Sequence, residues 1–113
     1  MSVLQGNAGE NKAVTYLKRQ GLVLRCQNFR TRRGEIDIVM QDGDTIVCIE
    51  VKYRKHQQYG HAVEFVTPKK LQRIQAAFTH YLLDNNLNPA STPLRIDVIA
   101  IDGSDLQWLK NVG

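Results

Sequence analysis

The chain is poor in the residues that staple or rigidify a fold. It holds two cysteines, three prolines and one tryptophan in 113 residues. Two cysteines cannot build a disulfide scaffold. Cys26 and Cys48 match no zinc spacing, and each sits in an apolar run, so both read as small buried thiols. That usage fits a reducing compartment, and a cytoplasmic protein is expected. No stretch approaches the roughly 20 apolar residues of a membrane span, so no membrane partner is expected. Met1 to Glu10 lacks a basic segment followed by an apolar run, and no secretory signal is expected. Internal repeats and low-complexity tracts are also missing. Acids are missing from the stretch between Lys12 and Arg33, where seven bases stand.

What remains is an ordinary globular balance, 42% apolar and 23% charged, in a length suited to one domain spanning residues 1–113. The net charge of +4 is modest, but its distribution is uneven. Residues 1–73 carry 13 of the 15 Lys and Arg against 7 acids, and residues 74–113 carry 2 bases against 4 acids. A polyanionic partner accounts for this asymmetry. So does a solvated surface that happens to be basic.

The patterning predicts the order α-β-β-β-α-β-β. Ala13, Val14 and Leu17 give a helical stripe over Gly9 to Gln20, with Gly21 in the terminating position. Leu22 to Arg30 alternates as a strand and leads into a basic turn, Arg30 to Gly34. Glu35 to Gln41 and Asp44 to Tyr53 are two Ile- and Val-rich strands. Asp42-Gly43 between them is a type I′ hairpin signal. Lys55 to Val66 reads as a polar exposed loop. Thr67-Pro68 opens a second helix, with Thr as N-cap and Pro in the first helical position. Its apolar stripe is Leu71, Ile74, Phe78, Tyr81 and Leu82. After a loop from Asn85 to Pro93, Leu94 to Ile101 reads as a strand buried on both faces. Asp102-Gly103 turns into a short last strand, Leu106 to Leu109. A helical crossover after a three-strand meander puts the fourth strand parallel to a meander strand. The expected fold is α/β, a small mixed sheet flanked by helices.

The chemistry concentrates in Gly34-Glu35-Ile36-Asp37 and Ile49-Glu50-Val51-Lys52. Alternation along strands puts Glu35 and Asp37 on one face of the second strand, and Glu50 and Lys52 on one face of the third. A turn at Asp42-Gly43 pairs Gln41 with Asp44. It sets Glu35 opposite Glu50, with Asp37 and Glu50 as diagonal neighbours on the same face. Ile36, Ile38, Val47, Ile49 and Val51 then form the core face. Carboxylates gathered this way repel unless a cation sits among them, and Mg²⁺, a hard ion content with one or two carboxylates and several waters, suits them. The bland alternative is a solvated face with a Glu50–Lys52 ion pair.

Asp37, twelve intervening residues and Glu50-Val51-Lys52 resemble the PD-(D/E)xK signature of restriction-endonuclease-like nucleases. Glu10 matches the extra acid that precedes this signature in archaeal Holliday-junction resolvases. Ile36 stands where the signature has Pro. The set Gly6…Gly9-Glu10…Ala13, Asn28-Phe29-Arg30, Gly34 to Val39, Glu50-Val51-Lys52 and Val66 to Lys70 is similar to the YraN-like family of small bacterial proteins, from about Gly6 to Val98. The resemblance implies that Asp37, Glu50 and the Val51 carbonyl bind Mg²⁺ or Mn²⁺. It implies that Glu10 acts on the metal through water, and that Lys52 orients or polarises the attacking water. It also implies a structure-specific endonuclease acting on nucleic acid, DNA in preference to RNA, as a homodimer. The alternative is a nucleic-acid-binding or assembly module that keeps the fold without turnover.

Arg30, Arg32 and Arg33 lead into the acidic strand, and Arg54 and Lys55 follow Glu50-x-Lys52. Both groups are expected to hold phosphates beside the site. Lys69, Lys70 and Arg73 lie in the first turns of the second helix, where cations oppose the helix dipole, which suggests an anion nearby. Trp108 reads as packing rather than base stacking. Glu35 is expected to face the site from behind the ligands.

Overall fold

The computed structural model describes residues 2–53 and 66–113, with side chains from residue 9 onward. The described residues run α1 (Ser2–Arg19), β1 (Val23–Arg30), β2 (Glu35–Asp42), β3 (Thr45–Tyr53), α2 (Pro68–Asp84), β4 (Leu94–Asp102) and β5 (Asp105–Leu109). This is the expected α-β-β-β-α-β-β order. The strands form one sheet in the order β1-β2-β3-β4-β5. Only the β3–β4 pair is parallel, and the others are antiparallel. The polar segment 54–65, which holds most of the expected loop together with Arg54 and Lys55, lies outside the described residues.

Local chemistry sets the element ends. Both helices close on a left-handed residue, Gly21 after α1 and Asn86 after α2. In each case the next N–H reaches back, Leu22 to the Leu17 carbonyl at 3.1 Å and Leu87 to the Leu82 carbonyl at 2.8 Å, the Schellman closure. At the start of α2 the Thr67 hydroxyl accepts the Lys70 N–H at 3.2 Å, with Pro68 first in the helix. Helix α1 begins at Ser2 rather than Gly9. A helical glycine costs only about 1 kcal/mol, and Gly9 has a packing reason. A Cβ there would run into the ring and hydroxyl of Tyr53.

The β2–β3 turn is centred one residue later than expected. Asp42 pairs with Thr45, so the turn residues are Gly43 and Asp44. The positive φ falls on Gly43 and not on Asp44, the pattern of a II′ rather than a I′ turn. The register moves by two residues, which leaves the faces expected for the paired stretch from Ile38 to Ile49 unchanged.

The sheet is covered on both faces, as expected of a sheet flanked by helices, although the pattern of β2 and β3 alone pointed to one core face and one polar face. On one side Ala13, Val14 and Leu17 of α1 pack on Ile38, Met40, Val47, Ile49, Ile99 and Ile101. On the other, Ile74, Ala77, Phe78, Tyr81 and Leu82 of α2 pack on Val39, Ile46, Cys48, Ile96 and Val98. Ile36 belongs to the α2 side although Ile38 belongs to the α1 side. The alternation of β2 therefore breaks at Asp37. Across from it in β1, between the pairs Gln27↔Ile38 and Phe29↔Ile36, stands Asn28 with φ +56. That left-handed residue reverses the local pleat and carries Phe29 and Ile36 toward α2 together.

Beyond the site, Asp97 is fully buried and fully used. It accepts from Arg95 Nε at 3.0 Å, from the Trp108 indole N–H at 2.9 Å and from the Asn111 N–H at 2.9 Å. Trp108 also meets Tyr16 edge-on. It packs, as expected, and ties β5 and the chain after it to β4.

Candidate functional site

The last β2–β3 pair is Ile38↔Ile49. One step further along this register sets Asp37 beside Glu50, directly opposed rather than diagonal. No ladder bond joins the strands there. Instead Asp37 Oδ2 accepts the Val51 backbone N–H at 2.9 Å, which orients the carboxylate toward β3. The carboxyl groups of Asp37 and Glu50 lie close enough for each other's charge to matter.

Glu50 is 7% exposed. Burial, reinforced by repulsion from Asp37, pushes its pKa up to about 7, against the pull of Lys70 and Lys52. Its Oε1 lies 3.3 Å from the Lys70 ammonium. Lys52 follows two residues along the same face of β3, half-buried, and meets the Lys70 amine directly. Burial and that neighbour hold Lys52 below the ordinary lysine range. For Lys70 burial acts in the same sense but is outweighed by Lys52, by the Glu50 carboxylate beside it and by the Asp37 charge, so its pKa rises. Two carboxyls and two amines thus share one knot at the edge of the α2-side core.

Glu10 approaches from α1. It is 9% exposed, and its Oε1 has no hydrogen-bond partner among the described residues. Burial first and the Asp37 charge second raise its pKa, opposed by a hydrogen bond with the Asn28 side chain. Asp37 therefore raises the pKa of carboxyl groups on two other elements, Glu50 on β3 and Glu10 on α1. Among the described residues, no group of three or more His, Cys, Asp or Glu is arranged to hold a metal ion. The oxygen donors present are the hard kind that suit Mg²⁺ or Mn²⁺.

Glu50 also lines a cleft of about 800 Å³ between the β1–β2 turn and the start of α2. Its walls carry Arg30, Arg32, Arg33, Lys69, Lys70 and Arg73. All six described cations singled out from the sequence for phosphate contact therefore meet in one place. Arg54 and Lys55 lie outside the described residues. The turn is closed on itself: the Thr31 hydroxyl accepts the Arg33 and Gly34 N–H groups at 3.1 Å each, and Thr31 N–H reaches the Gly34 carbonyl at 2.8 Å. It can lie against α2 only because residue 34 is glycine, since a Cβ there would meet the carbonyl of Arg73. Glu35 is exposed on the rim and pairs with Arg30 at 3.5 Å, rather than standing behind Asp37 and Glu50.

Three contributors were not legible as such. Lys70 stood out as a cation at a helix start, but its reach to Glu50 depends on how α2 is laid over the sheet. Asn28 carries an unremarkable strand position in sequence, yet takes a left-handed conformation and bonds Glu10. Gly34 gave a turn signal and no sign of its contact with Arg73.

The model of the family described as Uncharacterised protein family UPF0102 matches residues 9–101. A UPF0102 protein of Vibrio cholerae is 48% identical over 109 residues, covering 95% of this chain and 89% of the relative. One of Colwellia psychrerythraea is 43% identical over 111 residues, 95% and 86% of the two chains. One of Neisseria gonorrhoeae is 38% identical over 109 residues, 96% and 93%. Among the described residues no helix is long and apolar enough to cross a membrane.

Proposed function

The chain belongs to the UPF0102 family, and from the site it carries we propose that it binds nucleic acid, DNA in preference to RNA, and hydrolyses its phosphodiester bonds with the aid of Mg²⁺ or Mn²⁺. The observation that carries this reading is a mutually repelling carboxyl pair, half-buried Asp37 and buried Glu50, with Glu50 set where a cleft walled by six cations meets the sheet. A solvated decorative face does not bury Glu50 to 7% or leave Glu10 Oε1 without a partner among the described residues. A buried carboxylate is costly even beside an ammonium, and a divalent cation relieves that cost. In this reading Asp37…Glu50-Val51-Lys52 is the nuclease signature of a restriction-endonuclease-like, resolvase-like core, working in the cytoplasm as a homodimer.

Asp37 and Glu50 would hold the ion directly, the Val51 carbonyl would add a ligand, and Glu10 would act through water. A bound divalent ion supplies charge stabilisation at the phosphate and more acidic water. The chain's own residues do the rest. The Val51 N–H holds Asp37 in orientation. Lys52, beside both carboxyls, orients the attacking water and offsets charge that develops on the phosphate. The cleft cations seat the phosphates on either side of the scissile bond.

A second reading, a nucleic-acid-binding module without turnover, draws on the pairing of Glu50 with Lys70. The deciding experiment is a cleavage assay with Mn²⁺ across branched, linear and single-stranded substrates. Asp37→Asn and Glu50→Gln run alongside. Cleavage by the wild type that collapses in both variants supports the hydrolase. Binding without cleavage on every substrate supports the module. Cleavage that persists undiminished in both variants removes the site from consideration.

A further inference from the structure

The charge count in the knot has a consequence for how ion and polyanion share it. Two carboxyls, Asp37 and Glu50, are matched by two amines, Lys52 and Lys70. Lys70 is the one that belongs to both halves of the site. Its ammonium lies 3.3 Å from Glu50 Oε1, and the same side chain lines the cation-walled cleft, part exposed. Its backbone is pinned by the Thr67 cap at 3.2 Å, so the side chain swings from a fixed base.

We infer that Lys70 is a positioning residue that couples the two ligands of the site: it shares Glu50 with the divalent cation and, when the cation takes that carboxylate, turns its charge to a backbone phosphate in the cleft. This inference rests on the proposed cation site and adds to it a residue that acts through Glu50. The physics is competition followed by reuse. A carboxylate already paired with an ammonium attracts a second cation less strongly. Once the divalent ion neutralises Asp37 and Glu50, Lys70 is left unmatched beside a cleft already rich in Arg and Lys. A phosphate oxygen is the acceptor that an unmatched ammonium finds there. Divalent ion and nucleic acid then bind with positive coupling, and linkage makes the effect reciprocal.

The test measures two bindings and their coupling. Mn²⁺ affinity is read from the electron paramagnetic resonance of free Mn²⁺. Affinity for a fluorescein-labelled duplex is read by anisotropy, with and without saturating Ca²⁺ so that no cleavage intervenes. Lys70→Gln should bind Mn²⁺ roughly three- to tenfold more tightly than wild type. The rise in duplex affinity that Ca²⁺ produces in wild type should shrink by a similar factor. Lys70→Arg, which keeps the charge, should restore the coupling at least in part. Unchanged Mn²⁺ affinity and unchanged coupling in Lys70→Gln would overturn the role of Lys70. The cation site itself is checked separately: wild type that binds no Mn²⁺, or binds it as well in Asp37→Asn and Glu50→Gln, defeats the proposed function instead. Circular dichroism of each variant guards against misfolding, and Lys70→Arg keeps the question open to refutation should Lys70→Gln fail to fold.

Discussion

The Val51 N–H donates to Asp37 Oδ2 at 2.9 Å across the point where the β2–β3 ladder ends. A side chain thus takes the place of a backbone acceptor, and the fold itself holds a carboxylate against Glu50. Replacement of Asp37 should therefore split into two effects. Asp37→Asn keeps an oxygen for the Val51 N–H and removes the charge. It should retain stability and let the Glu50 pKa fall from about 7. Asp37→Ala leaves the N–H without its acceptor and should lose about 1–3 kcal/mol. Thermal unfolding and a ¹³C carboxyl titration of Glu50 measure the two effects separately. A Glu50 pKa that stays near 7 in both variants would show that burial alone raises it and that Asp37 adds nothing.

The raised pKa of Glu50 has a sign that stability must follow. Its ordinary value is 4.5, and the fold lifts it to about 7. Between these values the folded protein holds a proton that the unfolded chain has released. Stability therefore falls as pH rises through that window. At pH 5 Glu50→Gln mimics the protonated group and should change Tm little. At pH 8 it removes a buried charge, and the variant should have gained on wild type. Parallel pH profiles for the two proteins would contradict this account.

Much of the fold was legible because its signals are local. Thr67-Pro68 capped α2 as read, Gly21 closed α1, and the β2 and β3 alternation put Asp37, Glu50 and Lys52 on one face even though the turn was misplaced by a residue. A two-residue register error is silent to face assignment, which is why Asp37 and Glu50 still share a face. The rest depends on tertiary placement. Nothing local says that the face of Val39 and Cys48 is roofed by α2. Nothing in a strand pattern says that Asn28 will adopt φ +56 and reverse the pleat, so that Ile36 joins the core side opposite to Ile38. Lys70 reaches Glu50 only because that roof exists.

Gly34 joins the two walls of the cleft, and its substitution should open them. In Gly34→Ala the new methyl meets the backbone carbonyl of Arg73, and backbone cannot swing aside as a side-chain tip does. A loss of about 1–3 kcal/mol is expected, together with weaker duplex binding from displacement of Arg30, Arg32 and Arg33 from α2. Denaturant unfolding and anisotropy check both. Full affinity in a destabilised Gly34→Ala would mean that the two walls bind independently.

Salt should reveal how many of those cations meet phosphate. Neutralising phosphates releases counterions, so the slope of log affinity against log salt is about −0.9 for each contact on duplex DNA. Replacing Arg30, Arg32 and Arg33 together by Ala should flatten the slope by about 0.9 for each of the three that contacts a phosphate. Anisotropy titrations over a salt series measure it. An unchanged slope would place the contact elsewhere on the chain.

Glu10 offers the sharpest separation of a functional group from a structural one, because the two roles differ in sign. Its Oε1 is buried without a partner among the described residues, and its charge is opposed by burial and by Asp37. A residue kept for stability alone would not sit this way. Glu10→Gln preserves shape and keeps an amide that can still bond Asn28, while it removes the charge. Its Tm at pH 8 should therefore rise above wild type. The same change takes a negative charge from behind the proposed ion, and losing a group that supports a metal through water typically weakens binding by about tenfold or more. Mn²⁺ affinity should fall accordingly, and cleavage with it. Greater stability with poorer Mn²⁺ binding is the expected pair of results, measured by calorimetry and by paramagnetic resonance. A fall in Tm with Mn²⁺ affinity untouched would make Glu10 a packing residue of α1 and remove it from the site.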